Sequence, residues 1–328
     1  MAAQTPLLVR TKAGLYCPAG DFHIDPMTKV SRALITHGHA DHAIKGHEHV
    51  LATQATLDAM RVRYGKHFAT LGQAARLGEA LPVGGVTVRF VPAGHILGSA
   101  QIVIEADGQR AVAAGDYKRG FDPTTPPFEP VPCDLFVTEA TFGVPVFRHP
   151  DPMVELARFL VHRAAVPGRP HVIAAYSLGK AQRMIALLRA AGWDDPVVVH
   201  KTVADLCPVY AAHGVDLGPL VRLEDAEQDL LERGIILAPP QSVSDLQEPV
   251  IAFASGWNVL HKRKPKPGQN AFPLIISDHA DWDGLTRTIA EVSPETLWVM
   301  YGEEAALLHH ARTRGIGAHA VRDLERVD

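Results

Sequence analysis

Five times in this chain a short apolar run ends directly in a polar, chemistry-bearing turn. SRALI runs into THGHADH (36–42), VTVRFVPAG into His95, AVAAG into Asp116, LFVT into Glu139, and PLIISD into His279. Apolar runs of this length, bounded by glycine and polar residues, read as buried strands. Strand ends on one edge of a sheet converge in space, so the repetition constrains the fold to bring these side chains to a common edge. Each residue alone reads equally well as a turn residue or a hydrogen-bonded structural group. It is the repetition that favours a shared site.

THGHADH places three imidazoles and a carboxylate at His37, His39, Asp41 and His42. Polar groups at this density are not buried unpaired, and imidazole with carboxylate is the ligand set of zinc or manganese. The bland alternative is a solvated turn rich in histidine. On an extended segment His37 and His39 point the same way, which leaves Asp41 and His42 for a second ion. A bridging aspartate holds two ions roughly 3.5–4 Å apart. Such a pair makes hydroxide available near neutral pH and neutralises a phosphoryl or acyl transition state.

Composition narrows the setting. With 328 residues, 47% hydrophobic and 21% charged, the chain is expected to form one large or two ordinary globular domains. Cys17, Cys133 and Cys207 are scattered, odd in number and without CxxC spacing, so reduced thiols in a cytosol are expected. A net charge of −4 argues against a protein that coats nucleic acid, while leaving room for a nuclease with a local basic patch. Neither a signal peptide nor a membrane span is expected, and a cytoplasmic location follows.

The first third reads as short strands and turns, with SAQIVIEAD and QRAVAAGDY joined by a hairpin at Asp107-Gly108. The middle changes to strands alternating with helices: HVIAAYS, the helix KAQRMIALLRAAG, PVVVH, the helix TVADLCPVYAAHG, then GIILAPP and PVIAFASG. That alternation predicts a parallel α/β unit. PLIISDH reads as a strand, followed by a helix from near Asp281, the strand TLWVMYG and the helix EEAALLHHARTRG. GVPVFRHPDP (143–152) and the basic HKRKPKPGQN (261–270) mark the boundaries, as if a unit were inserted between two halves of a first domain.

THGHADH matches the HxHxDH signature of the metallo-β-lactamase superfamily, and PAGHILGSAQ, AAGDY, TEATFG, AYSLGKAQR and SDHADW resemble, in order, the motifs of its β-CASP nucleases. GLYCPAGDFHIDP, SGW and SDHADWDGL look most like the bacterial DNA ligase-associated exonucleases, relatives of the Artemis-like and RNA 3′-end processing nucleases. The resemblance runs from about residue 14 to 325. It implies an α/β fold: a metallo-β-lactamase αββα sandwich with an inserted β-CASP α/β domain. The domains would be 1–145 and 263–328 for the sandwich and 146–262 for the insertion. It also implies a metal-dependent DNA exonuclease of DNA repair that works with zinc. His37, His39, His95 and Asp116 would hold one ion, and Asp41, His42 and Asp116 a second. Asp25 would support the ligand loop, and Asp41, His279 and Glu139 would serve catalysis, with His279 as general acid and Glu139 as its orienter. Many members carry a histidine where Tyr301 stands in VMYGEE. A neutral tyrosine is a poor ligand, so the second ion is expected to be weak, absent, or replaced by manganese or magnesium.

Substrate contacts are expected at Ser177 and Lys180, near a helix start, and at Lys262, Arg263 and Lys264 in the basic stretch. The alternative for that stretch is a solvated surface loop. YSLGK is too short for a phosphate-binding Walker loop. Lys118 and Arg119 are candidates to face the strand, and Trp257 and Trp282 either stack a base or pack in the core. The expected partner is single-stranded or processed-end DNA, with association with a DNA ligase and helicase implied by the resemblance. Three alternatives stay open: an RNase of the 3′-processing type, a small-molecule metallo-hydrolase and a silent scaffold.

Overall fold

Asp107 and Gly108 both adopt positive φ, 50° and 77°. This is the turn geometry whose twist matches two paired strands, so Ala100–Ala106 and Gln109–Ala113 pair antiparallel with Ala106 opposite Gln109. The structure, a computed structural model, describes residues 6–242, 246, 248–260 and 271–327. They divide into two compact units. One comprises the residues up to Phe121, Thr125–Pro145 and those from His279 onward; the other comprises Asp122–Thr124 and Val146–Asp278.

The first unit stacks two sheets. One has six strands in sequence order, from Val9–Thr11 to Ala69–Ala75. The other has seven, ordered Gly317–Ala320, Thr296–Gly302, Leu135–Ala140, Gln109–Ala113, Ala100–Ala106, Val86–Pro92 and Ala80–Val83. Leu15, Ile24, Leu34 and Leu51 of the first sheet share a core with Phe90, Ile102, Ile104 and Val137 of the second. The outer face of the first sheet is covered by Leu57 and Met60 of the helix Gln54–Tyr64. The outer face of the second is covered by Leu285, Ile289 and Val292 of Trp282–Val292 and by Leu307, Leu308 and Ala311 of Glu304–Arg312. The result is a helix–sheet–sheet–helix sandwich of α/β class.

The second unit is a six-stranded parallel sheet, ordered Leu220–Arg222, Val197–Val199, Ile235–Ala238, His171–Ala174, Val250–Ala254 and Ala271–Leu274. Its central strands are buried throughout, as a sheet covered on both faces requires. Ala271–Leu274 pairs with Val250–Ala254, so the chain leaves this unit after Asp278, later than the 262/263 boundary expected from the basic stretch. A lysine- and proline-rich run is a loop signal, and here the next strand continues the same sheet. That strand also ends at Leu274, before the Ile275-Ile276 pair that the apolar pattern assigned to it. TVADLCPVYAAHG forms two short helices, Lys201–Ala204 and Cys207–Ala212, because Pro208 has no N–H to continue the first.

The three cysteines are free thiols. Burial pushes Cys133 up to about 12 and Cys207 up to about 11. Among the described residues no helix is long and apolar enough to cross a membrane.

Candidate metal centre

The strand Arg32–Leu34 delivers THGHADH to one end of the sandwich, and the loop is held from below by Asp25. Asp25 is buried and stands at φ 42°, a conformation that non-glycine residues adopt only when their surroundings hold them there. Its carboxylate accepts the Thr36 backbone N–H at 2.8 Å, the Thr36 hydroxyl at 2.5 Å and the His42 Nδ1 proton at 2.8 Å. Thr36 Oγ1 in turn lies 3.1 Å from His37 Nδ1. Each hydrogen bond occupies Nδ1 and leaves Nε2 as the lone-pair nitrogen, which is how supporting carboxylates present imidazole ligands.

Two glycines let the other loops close in. Gly94 has φ 75°, and a Cβ there would sit 2.5 Å from the Lys118 carbonyl oxygen. Gly115 has φ 59°, and a Cβ would strike Thr36 Oγ1 at 2.6 Å. Only glycine meets both demands, so His95 and Asp116 arrive beside His37 on backbones that approach without side chains between them. Ser99 Oγ accepts the His95 backbone N–H at 3.0 Å and fixes that turn.

The four side chains then converge. His37 Nε2 and His95 Nε2 each lie 3.1 Å from His39 Nδ1. Asp116 Oδ2 is 3.6 Å from His37 Nε2 and 3.8 Å from His95 Nε2. Zinc bonded at about 2.0–2.1 Å to four tetrahedral donors sets them roughly 3.3–3.4 Å apart, so these spacings fit the ion. The donor types fit it too. His37 is fully buried, and burial followed by the neighbouring imidazoles of His42, His39 and His95 holds it well below its ordinary value, in the neutral form that ligates. Burial alone would raise the Asp116 carboxyl, but His42, His279 and His37 overcome it and keep the group ionised. His42 is opposed by burial and carried above its usual value by Asp116 and Asp25.

On the other side of Asp116 stands a second pair. Glu139 Oε2 lies 2.9 Å from His279 Nδ1, and its Oε1 accepts the Tyr117 backbone N–H at 2.8 Å. His279 Nδ1 is 3.9 Å from Asp116 Oδ2. Glu139 is buried while a fifth of the His279 side chain is exposed, so a held carboxylate orients an accessible imidazole.

No family model matches the chain. Curated relatives do. A probable DNA ligase of Opitutus terrae is 29% identical over 96% of this chain, which spans 31% of that protein. An RNase J-like protein of Methanocaldococcus jannaschii is 25% identical over 70% of this chain and 66% of its own length. The relatives that the chain resembles are members of the β-CASP branch of the metallo-β-lactamase superfamily. A crystal structure of a protein of unknown function from Enterococcus faecalis superposes with a TM-score of 0.61 at 14% identity, covering 88% of this chain and 78% of that one; it shares the fold. The chain thus spans about a third of the relative it matches over nearly its whole length.

Against the β-CASP pattern, the second ion's ligands are less complete. His42 Nε2 is 3.4 Å from Asp116 Oδ2 and 3.9 Å from Asp41 Oδ2, but 79% of the Asp41 side chain is exposed and it joins none of the compact ligand groups. Asp25 does lie within reach of His37 and His42, yet its oxygens are engaged by Thr36 and His42 protons. Where the resemblance implies a histidine, Tyr301 occupies a bulge: Glu139 pairs Met300 and Ala140 pairs Gly302, leaving Tyr301 extra at φ 62°. The bulge turns its ring to within 5.2 Å of the His42 ring. Burial, followed by Asp25, Asp116 and Asp41, pushes the phenol far up, so it stays neutral.

The expected substrate contacts fare differently. Lys180 is a correction: its ammonium is buried in an ion pair with Asp278 at 2.9 Å, which leaves no free charge for a phosphate. The helix start is closed as well, since Gln182 Oε1 accepts the Gly179 N–H. Ser177 is half-buried and bonded to Thr202 Oγ1 at 2.8 Å. Arg119 is committed to Thr288 and Glu291 of the helix Trp282–Val292. Trp282 packs on the core, whereas Trp257 is 43% exposed. Lys262, Arg263 and Lys264 lie outside the described residues. Thr36 and Ser99 were not singled out by the sequence; their hydroxyls act on neighbours in space, and only their adjacency to motif histidines marks them.

Proposed function

We propose that this protein is a metal-dependent phosphodiesterase, a nuclease that removes nucleotides from DNA ends in repair. The observation that carries the reading is the gathering of three histidines with Asp116, at spacings of 3.1–3.8 Å, and of the His279–Glu139 pair beside Asp116. His37, His39, His95 and Asp116 would hold zinc; Asp41, His42 and Asp116 would hold a second, weaker ion open to manganese or magnesium. A bound ion supplies a Lewis acid for phosphate oxygens and lowers the pKa of water.

The chain's own groups do the rest. Asp25 fixes Thr36 and His42, so the ligand loop needs no rearrangement on binding. Glu139 accepts the Nδ1 proton of His279, which makes Nε2 the atom that exchanges a proton with substrate. Protonated there, His279 donates to the leaving oxygen, while Glu139 stabilises the imidazolium. Lys262, Arg263 and Lys264 neutralise backbone phosphates, and Ser177 offers a hydroxyl to the strand.

The match of a probable DNA ligase to 96% of this chain supports DNA as substrate and a ligase as companion, while a helicase companion rests on the resemblance alone. The RNase J-like relative, matched over 70% of the chain, supports RNA as the second reading. The free thiols suit a cytoplasmic setting.

The test is metal content of the purified protein, then digestion of end-labelled single-stranded DNA and a matched RNA. Bound zinc with DNA preferentially degraded is expected, and His37→Ala should lose the metal and the activity while remaining folded by circular dichroism. Preferential RNA cleavage would install the second reading. Metal-loaded protein that cuts neither would point to a small-molecule hydrolase, and protein with neither metal nor cleavage to a scaffold.

A further inference from the structure

We infer that Tyr176 and Trp257 form a stacking platform for unpaired bases of a single-stranded nucleic acid, on the carboxyl edge of the parallel sheet in the second unit. The inference rests on the phosphodiesterase reading and names how its polymeric substrate is gripped.

His171–Ala174 and Val250–Ala254 are neighbouring parallel strands with Ala174 opposite Phe253. Just past their carboxyl ends the chain carries Tyr176, 66% exposed, and Trp257, 43% exposed. The carboxyl edge of a parallel sheet is where such folds bind ligands. Two large exposed aromatic rings on that edge, just past the ends of neighbouring strands, are a surface suited to flat apolar partners.

Both rings are held before anything binds. The Lys180 ammonium sits over the Tyr176 ring, 5.5 Å from its centroid, and is itself locked by the buried pair with Asp278. A cation on one face leaves the other face for a base. Trp257 meets Phe147 edge to face at 5.0 Å, and Asn258 beside it donates to the Phe253 and Leu274 carbonyls. Rings fixed in this way lose little rotamer freedom on stacking, which favours binding. Further along the edge, His200 and Ser177 bond to the Thr202 hydroxyl at 2.9 and 2.8 Å, and Lys201 is exposed. Aromatic rings interleaved with hydroxyls and a cation suit a sugar–phosphate strand with its bases unpaired. Stacking accepts any base, so the platform confers preference for single strands without sequence reading.

The test compares binding of the full chain to a phosphorothioate-linked, fluorescent oligothymidylate with an equally long abasic oligomer carrying the same charge. The wild type should bind the base-bearing strand about tenfold more tightly. Tyr176→Ala and Trp257→Ala should each remove most of that preference, and Tyr176→Phe should keep it, with folding of each checked by circular dichroism. Equal binding of the two oligomers by a wild type that still cuts DNA overturns the platform alone. A preference that survives in both alanine variants also overturns it. A wild type that neither binds nor cuts either strand overturns the nuclease reading together with it.

Discussion

At the scale of single residues, the proposed centre turns on His279 and Tyr301. His279 is the accessible member of a pair whose carboxylate is buried. His279→Ala should therefore lower kcat by about 10²–10⁴ with little change in KM, measured on an end-labelled strand. A rise in KM alone would remove the general-acid role. Tyr301 sits at positive φ, where histidine is tolerated better than most residues. Tyr301→His should raise tightly held metal from one equivalent to two by elemental analysis after dialysis. An unchanged stoichiometry would mean that exposed Asp41, and not the tyrosine, limits the second site.

At the scale of elements, the centre depends on loops that pack backbone to backbone. Gly94→Ala forces a Cβ against the Lys118 carbonyl, a contact with backbone that cannot swing aside. The variant should lose about 1–3 kcal/mol of stability and much of its zinc affinity, because the turns bearing His95 and Asp116 must separate. Thermal unfolding with and without added zinc checks both effects. Elements with strong local signals were legible in the sequence: the Asp107-Gly108 hairpin, the helix Lys180–Ala190, and the helix capped by Asp281, whose carboxylate accepts the Gly284 N–H. The first sheet was legible only at SRALI. Its edge strand Ala69–Ala75 reads ATLGQAA, mostly exposed and without the apolar alternation that marks a half-buried strand.

At the scale of the whole molecule, charge and protonation set the working conditions. Replacing Lys262, Arg263 and Lys264 with alanine should weaken DNA binding and reduce the slope of log affinity against log salt by about 2–3. An unchanged slope would return that stretch to a solvated surface. His171, buried at the start of a central strand, is pushed down to about 4 from 6.5. Burial, helped by Arg163 and His162, outweighs its hydrogen bond to the Arg169 carbonyl. Between pH 6.5 and 4 the unfolded chain takes up a proton that the folded one refuses. Stability is therefore full above that window, falls as pH drops through it, and levels off below it. His171→Phe should remove roughly 1–2 kcal/mol of that acid-side loss, read from unfolding midpoints across the window.

By itself the sequence pointed to the side chains that gather around Asp116 and to the order of the strands that carry them, because metal donors need particular side chains and strand ends announce themselves by apolar runs. It also determined that a parallel α/β unit interrupts the first domain, through the change from strands alone to strands alternating with helices. Three things waited for tertiary structure. The second boundary fell after Asp278, since strand pairing and not loop composition decides which sheet a segment joins. Lys180 proved to be spent on Asp278, which lies 98 positions away and is adjacent only after folding. Tyr176 and Trp257 came to one sheet edge because their strands are neighbours in space, with 75 residues and three other strands of the same sheet between those strands in the chain.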